Sequence, residues 1–267
     1  MSAAMFGADS AAALWDEVPA EGAFTLTQPG VVGAVERPWL FGFTAPNVPA
    51  DAPAMLVLAG GGYTQLMVER EGVAVARWLN ALGLNAYVLV HRFPTADTGP
   101  LAPRADAIQA MAMIRAHGHA RVGVVGLSSG GHLAACLLAE GAEVARPDVA
   151  VIGYAPISTN AAGRTIVADK PPLPPVEKQA LYDLLQPDAQ LADAPPPTFI
   201  VYAGNDSVVP VANAYRLNDA ITAKGGMAEL HVFADAPHGF ALDTETGPVR
   251  LWPELCAAWL RQTGFVV

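Results

Sequence analysis

The sequence predicts an α/β fold with a mostly parallel central sheet that helices cover on both faces. From about residue 54 onward, short apolar runs alternate with stretches of helical periodicity. The apolar runs are hydrophobic at consecutive positions, which is typical of strands buried on both faces of a parallel sheet. With 52% hydrophobic and 15% charged residues among 267, the composition suits one large core. We therefore expect a single domain over residues 1–267.

Six apolar runs are predicted to be strands of the parallel sheet. They cover residues 55–58, 86–90, 122–125, 149–154, 198–202 and 229–233. The first fifty residues differ, because residues 24–27 and 39–43 suit an antiparallel edge. Prolines fill the connection after this edge, and a proline lacks the N–H that a central strand needs.

Helices are predicted between the strands. They cover residues 69–82, 103–116, 132–138, 176–185, 211–224 and 252–261. Pro103 and Pro253 lie in first turns, where their missing N–H costs no helical hydrogen bond. Gly83 and Gly118 follow last turns, where glycine readily ends a helix.

The segment Gly126-Leu127-Ser128-Ser129-Gly130 joins a predicted strand to a helix of small residues. In this context Gly-x-Ser-x-Gly predicts a nucleophile elbow, a turn so sharp that the residues two before and two after the serine must be very small. Ser128 meets this requirement, whereas Ser129 has a leucine two positions before it. Ser128 is therefore the predicted nucleophile.

A serine needs a base that takes its proton, and the base needs an acidic residue that orients it. His238 follows the last predicted strand and can reach the carboxyl end of the sheet, whereas His231 lies inside that strand. Asp206 follows the strand at 198–202. Asp235 and Asp243 compete with it in sequence, but they share the loop of His238, which gives poor geometry.

A third predicted element is a pair of backbone N–H groups for a tetrahedral oxyanion. Ser129 supplies one, and Gly60 or Gly61 supplies the other from the glycine loop after the strand at 55–58. Such a loop could instead bind phosphate. However, it lacks both the Gly-x-Gly-x-x-Gly spacing and a Gly-Lys-Ser/Thr ending.

Taken together, these motifs resemble those of the α/β-hydrolases. The nearest group is the acetyl-xylan-esterase-like and hormone-sensitive-lipase-like carboxylesterases, and the opening from Leu14-Trp15 to Pro19-Ala20 is similar to theirs as well. The motifs are Ala59-Gly60-Gly61-Gly62-Tyr63, Gly126-Leu127-Ser128-Ser129-Gly130-Gly131-His132, Asp206-x-x-Val209-Pro210 and His238-Gly239-Phe240. The chain departs from the group at Ala59, usually His or Pro, and at Ser129, commonly Ala.

The resemblance implies a serine carboxylesterase that hydrolyses short acyl esters, acetyl above all, of sugars or small alcohols without a metal or cofactor. It implies a triad of Ser128, Asp206 and His238. Tyr63 and His91 are candidate substrate contacts, whereas His132 is expected to be packed and hydrogen-bonded. The alternatives are a peptidase or amidase of the same fold and a non-catalytic binding protein.

One stretch, residues 157–197, breaks the alternation of strands and helices. It is rich in proline and contains one predicted helix. Because irregular connections of this length are usually functional, we expect a small lid that shapes the substrate pocket. The alternative is a surface insertion without a role in binding.

The net charge of −10 argues against nucleic acid and anionic membranes as partners. No apolar run is long enough to span a membrane, and the first residues do not read as a secretion signal. Cys136 and Cys256 lie far apart and fit no metal-ligand spacing, so free thiols are expected. These features predict a cytoplasmic protein with a small-molecule ester as its partner and leave a homo-oligomer open.

Overall fold

An eight-stranded sheet forms the centre of the computed structural model, which describes residues 3–15, 23–49, 51–167 and 170–266. The strands of this sheet are β1 (Ser10–Ala13), β4 (Trp39–Phe43), β5 (Ala54–Leu58), β6 (Asn85–Val90), β7 (Val122–Leu127), β8 (Ala150–Gly153), β9 (Thr198–Ala203) and β10 (Ala228–Phe233), whereas β2 (Phe24–Gln28) and β3 (Val31–Val35) lie outside it. The spatial order is β1-β4-β6-β5-β7-β8-β9-β10. Strands β5 to β10 are parallel to one another, which confirms the predicted mostly parallel sheet.

The antiparallel edge differs from its prediction. Strand β4 is antiparallel to β6, as expected, but the outermost strand is β1, which the sequence did not reveal. Its four residues, Ser-Ala-Ala-Ala, carry small side chains with little preference for strands. The prediction for residues 24–27 is wrong, because β2 pairs with β3 in a separate two-stranded sheet. Only Phe24 of β2 is buried, so this strand has no apolar face for the central sheet.

Helices flank the sheet in the predicted order. They are α1 (Ala74–Ala81), α2 (Ala102–Ala116), α3 (Ser129–Cys136), α4 (Val176–Leu184), α5 (Pro187–Gln190), α6 (Ala212–Ala223) and α7 (Trp252–Gln262). The helix predicted over residues 69–82 begins instead as a π-helical turn, Val68–Val73, which passes into α1. None of the described helices is long and apolar enough to cross a membrane.

The parallel strands bring four loops to one edge of the sheet. Their carboxyl ends share this edge, where open α/β sheets place their ligand sites. The glycine loop follows β5, Ser128 follows β7, Asp206 follows β9 and His238 follows β10. The alternation of strands and helices therefore places the predicted catalytic side chains at one edge of the sheet.

Within residues 157–197, the described part carries α4 and α5 and packs against this same edge. Tyr182 of α4 lies edge-on to Tyr63 and His132, with ring centroids 5.7 Å and 4.9 Å away. The free thiols expected at Cys136 and Cys256 are confirmed, and both are buried. Of the opening Leu14-Trp15 to Pro19-Ala20, residues 16–20 lie outside the described residues.

An ion pair ties the end of β6 to α2. The Asp106 side chain is completely buried, and Arg92 binds it through Nη2, Nε and the backbone N–H, at 2.6 to 3.2 Å. The indole Nε1 of Trp15 also donates to Asp106, at 2.9 Å. A single buried carboxylate therefore holds three segments that lie far apart in the sequence.

Replacing Asp106 with Ala should lower the free energy of unfolding by about 3 kcal/mol, because Arg92 then lacks its partner in a largely buried position. Denaturant unfolding followed by circular dichroism measures the loss. Asp193→Ala is the control, since its pair with Lys224 is exposed and should leave the unfolding midpoint nearly unchanged. Equal effects of the two substitutions would contradict the structural role of Asp106.

Candidate active site

Ser128 lies in a sharp turn between β7 and α3. Its φ of 52° falls in the left-handed region, which is strained for a residue with a side chain. A Cβ at Gly126 would overlap the carbonyl of Gly130, and a Cβ at Gly130 would overlap that of Leu58. The backbone thus approaches itself so closely that only glycine fits on either side of Ser128, as the motif predicts.

The structure brings Ser128, His238 and Asp206 into one hydrogen-bonded chain. Ser128 Oγ lies 3.1 Å from His238 Nε2, and His238 Nδ1 lies 2.7 Å from Asp206 Oδ2. Because a carboxylate only accepts, Nδ1 carries the proton and Nε2 is free to accept from the serine hydroxyl. Ser128 is half-buried, so solvent reaches the serine end of this series of hydrogen bonds.

Asp206 is held in its ionised form by its surroundings. Burial works to raise its pKa, but hydrogen bonds from His238, Val209 and Val208 outweigh burial and keep the pKa below its ordinary value. The two backbone N–H groups both bind Oδ1 at 2.8 Å. One oxygen is thus anchored to its own loop, and the other orients the imidazole.

The three amides of the glycine loop have different partners. Gly60 N–H donates to Glu71 Oε2 at 2.8 Å, and Gly62 N–H donates to Ser129 Oγ at 2.9 Å. Across the described ranges, the N–H groups of Gly61 and Ser129 have no acceptor. Of the two glycines predicted to face an oxyanion, Gly60 has its N–H bound to the Glu71 carboxylate, and the role of Gly60 or Gly61 as an oxyanion donor stays a prediction.

Tyr154 and Glu71, which the sequence did not single out, lie beside the hydrogen-bonded residues Ser128, His238 and Asp206. The Tyr154 ring packs edge-on against His238, with centroids 5.4 Å apart. Its hydroxyl donates to Glu71 Oε1 at 3.1 Å. A sequence signal for Glu71 does exist, because it is a charged residue close to the apolar positions Val68, Gly72 and Val73. All four residues are buried in the π-helical turn. No sequence signal marks Tyr154.

His132 is packed and hydrogen-bonded, as expected. Its Nε2 lies 2.9 Å from the carbonyl oxygen of Leu185, so Nε2 carries the proton. Its Nδ1 therefore accepts from the hydroxyl of Tyr63, at 2.8 Å. Burial lowers the pKa of His132 from 6.5 to about 4, although the Leu185 contact opposes this shift.

Tyr63 and His91, the candidate substrate contacts, are each only 1% exposed. Their rings lie 6.0 Å apart, and His91 Nδ1 is 2.7 Å from the carbonyl oxygen of Arg92. Direct contact of either ring with a substrate stays a prediction. In the described part of the chain, no three His, Cys, Asp or Glu side chains are grouped as metal ligands.

Comparison with known proteins places the chain in a family. The family model of the dienelactone hydrolases matches residues 91–266, about two thirds of the chain. The chain belongs to the dienelactone hydrolase family. The matched region includes the elbow, Asp206 and His238, whereas the glycine loop lies before it.

Relatives and solved structures agree with this placement. An acetylxylan esterase of Xylanibacter ruminicola is 26% identical over 209 residues, which span 72% of this chain and only 42% of that protein. The acetyl ester-xyloside bifunctional hydrolase of Caldicellulosiruptor lactoaceticus is 28% identical, with a TM-score of 0.75 over 97% of each chain. MGS-M1, an α/β-hydrolase enzyme from a deep-sea metagenome, has a TM-score of 0.68 at 24% identity over 95% and 96% of the two chains. The predicted α/β-hydrolase fold is thereby confirmed.

The buried His132 makes stability depend on pH. Between pH 6.5 and pH 4 the unfolded chain binds a proton at this ring that the folded protein excludes, so the free energy of unfolding falls as the pH falls. The expected contribution is about 2 kcal/mol between pH 7.5 and pH 5. In His132→Gln, the difference in free energy of unfolding between these pH values should shrink by that amount in urea titrations. An unchanged difference would show that His132 is not the group responsible.

Proposed function

We propose that the chain is a serine carboxylesterase that works through an acyl-enzyme. The observation that carries this proposal is the hydrogen-bonded chain from Ser128 Oγ through His238 to Asp206, at 3.1 Å and 2.7 Å. Ser128 is half-buried, and among the described residues the N–H groups of Gly61 and Ser129 have no acceptor. Membership of the dienelactone hydrolase family supports hydrolysis as the reaction class.

In the proposed reaction, His238 takes the proton of Ser128 as Oγ attacks the ester carbonyl carbon. The N–H groups of Gly61 and Ser129 stabilise the oxyanion that forms. His238 then gives the proton to the leaving alcohol. Water then attacks the acyl carbon while His238 takes its proton, and His238 returns that proton to Ser128 Oγ as the bond between Oγ and the acyl group breaks and the acid leaves. Asp206 remains ionised throughout, holds the imidazole in the tautomer that accepts at Nε2, and stabilises the imidazolium.

The proposed substrates are short acyl esters, acetyl esters above all, of sugars or small alcohols. The names of two similar proteins, an acetylxylan esterase and an acetyl ester-xyloside hydrolase, support acetyl groups on sugars. The packing after the glycine loop supports a short acyl group, because Tyr63, Tyr182 and His132 fill the space there and are buried. The segment 157–197 contributes Tyr182 and is the proposed lid.

Replacing Ser128 with Ala should lower kcat for p-nitrophenyl acetate by about 10⁴-fold or more, because only binding and the oxyanion donors remain. The Ser128→Ala protein should also lose covalent labelling by a fluorophosphonate, measured as a mass shift. Ser129→Ala tests the adjacent hydroxyl and should keep the label, since its backbone N–H is intact. Turnover that persists in Ser128→Ala would refute the assignment.

A further inference from the structure

Glu71 is a buried carboxylate that takes no part in the proposed acyl transfer. Its side chain lies in the π-helical turn Val68–Val73, and the residue is only 4% exposed. Both of its oxygens accept hydrogen bonds, Oε2 from Gly60 N–H at 2.8 Å and Oε1 from the Tyr154 hydroxyl at 3.1 Å. The two donors belong to different loops at the edge of the sheet that carries Ser128.

Through Gly60, Glu71 contributes to the position of the glycine loop. Gly60 is held on both sides, since its N–H binds Glu71 and its C=O accepts from Met67 N–H at 2.8 Å. The next residue, Gly61, has a φ of 138°, a conformation that side chains rarely adopt. The Gly60 C=O and the Gly61 N–H belong to one peptide plane, so Glu71 on one side of Gly60 and Met67 on the other together fix the direction of the Gly61 N–H, the loop amide proposed for the oxyanion.

Through Tyr154, Glu71 reaches the loop of His238. The Tyr154 hydroxyl donates to Glu71 and accepts from Ala241 N–H at 3.2 Å, so it links the carboxylate to a residue three positions after His238. The Tyr154 ring packs against both His238 and Phe240, with centroids 5.4 Å and 4.5 Å away. The imidazole of His238 therefore packs against the ring of Tyr154, whose hydroxyl is bound to Glu71.

Burial of a carboxylate at this position disfavours its charged form. Burial raises the pKa of Glu71, and hydrogen bonds from Gly60 and Tyr154, with the nearby Arg70 and His238, work against that rise. Arg70 itself binds the exposed Asp243 through two hydrogen bonds. Buried charges seldom stabilise a protein more than apolar residues of the same size. The value of a carboxylate here is that it provides two acceptors, one for each loop.

We propose that Glu71 is a positioning residue that sets the oxyanion donor and the base at a constant separation. Together with Met67 it holds Gly60, and hence the direction of the Gly61 N–H, and it holds Tyr154 and hence the ring behind His238. This inference rests on the proposed esterase function. It adds a residue that acts on the transition state through two others, without touching the substrate.

The test is Glu71→Gln, which keeps the size of the side chain but leaves one acceptor for two donors. Because a small misplacement of an oxyanion donor acts on the transition state alone, kcat for p-nitrophenyl acetate should fall by about 10- to 100-fold. KM should stay within about twofold of the wild-type value. The affinity for a trifluoromethyl ketone, which forms an oxyanion on Ser128, should fall in parallel with kcat/KM.

The matched control is Glu69→Gln, which alters an exposed carboxylate of the same π-helical turn and should leave kcat and KM unchanged. A second variant, Tyr154→Phe, keeps the ring against His238 and removes only the hydroxyl. It should lower kcat by about 3- to 10-fold, and its effect should not add to that of Glu71→Gln, because residues of one network couple. If Glu71→Gln does not fold, Tyr154→Phe carries the test alone.

The possible outcomes separate this inference from the proposed function. Wild-type kcat in both Glu71→Gln and Tyr154→Phe overturns the role of Glu71, while the esterase assignment stands. A lower melting temperature with unchanged kcat and unchanged ketone affinity also overturns it, because the contacts are then only structural. If wild-type and Glu69→Gln proteins neither hydrolyse the ester nor take the fluorophosphonate label, the proposed function itself fails.

Discussion

The turn at Ser128 is the constraint on which the rest of the site depends. A residue with a side chain at positive φ is strained by about 1–3 kcal/mol, and it persists only where its surroundings determine it. Here β7 is paired on both sides, and the Ser128 N–H binds the carbonyl of Gly153 at 2.9 Å. Gly126 and Gly130 let the backbone pass close to itself and to β5. The turn therefore holds the serine hydroxyl above the sheet edge.

The glycine loop shows how hydrogen bonding selects among equivalent amides. Three consecutive glycines offer three N–H groups, and the fold uses two of them internally. Glu71 takes the first and Ser129 Oγ takes the third, so Gly61 remains. Among the described residues the Gly61 N–H has no acceptor, and it is the loop donor that we propose for the oxyanion. Ser129, which follows the proposed nucleophile, has a structural task, because its hydroxyl accepts from Gly62 N–H and so anchors the loop.

Much of this arrangement was predictable, for a reason that lies in the topology. In a parallel sheet the carboxyl ends of the strands meet at one edge, so Ser128, Asp206 and His238 had to lie near one another once their strands were recognised. The wrong or missing predictions concern segments whose side chains carry little hydrophobic periodicity. Strand β1 is made of serine and alanine, and the β2–β3 hairpin buries only part of its length. The π-helical turn before α1 also has an apolar pattern that an ordinary helix would share.

By itself, the sequence determined the fold class, the elbow and the order of serine, acid and histidine, because these depend on local periodicity and on residues required at single positions. It also restricted the oxyanion loop to three glycines. Only the tertiary structure decided which glycine amide is left unpaired, because the choice is made by Glu71 and Ser129, which come from other segments. The link from Glu71 through Tyr154 to the loop of His238 was likewise set by packing across the sheet edge. Hydrogen bonds between a side chain and another segment of the chain leave no periodic trace in the sequence.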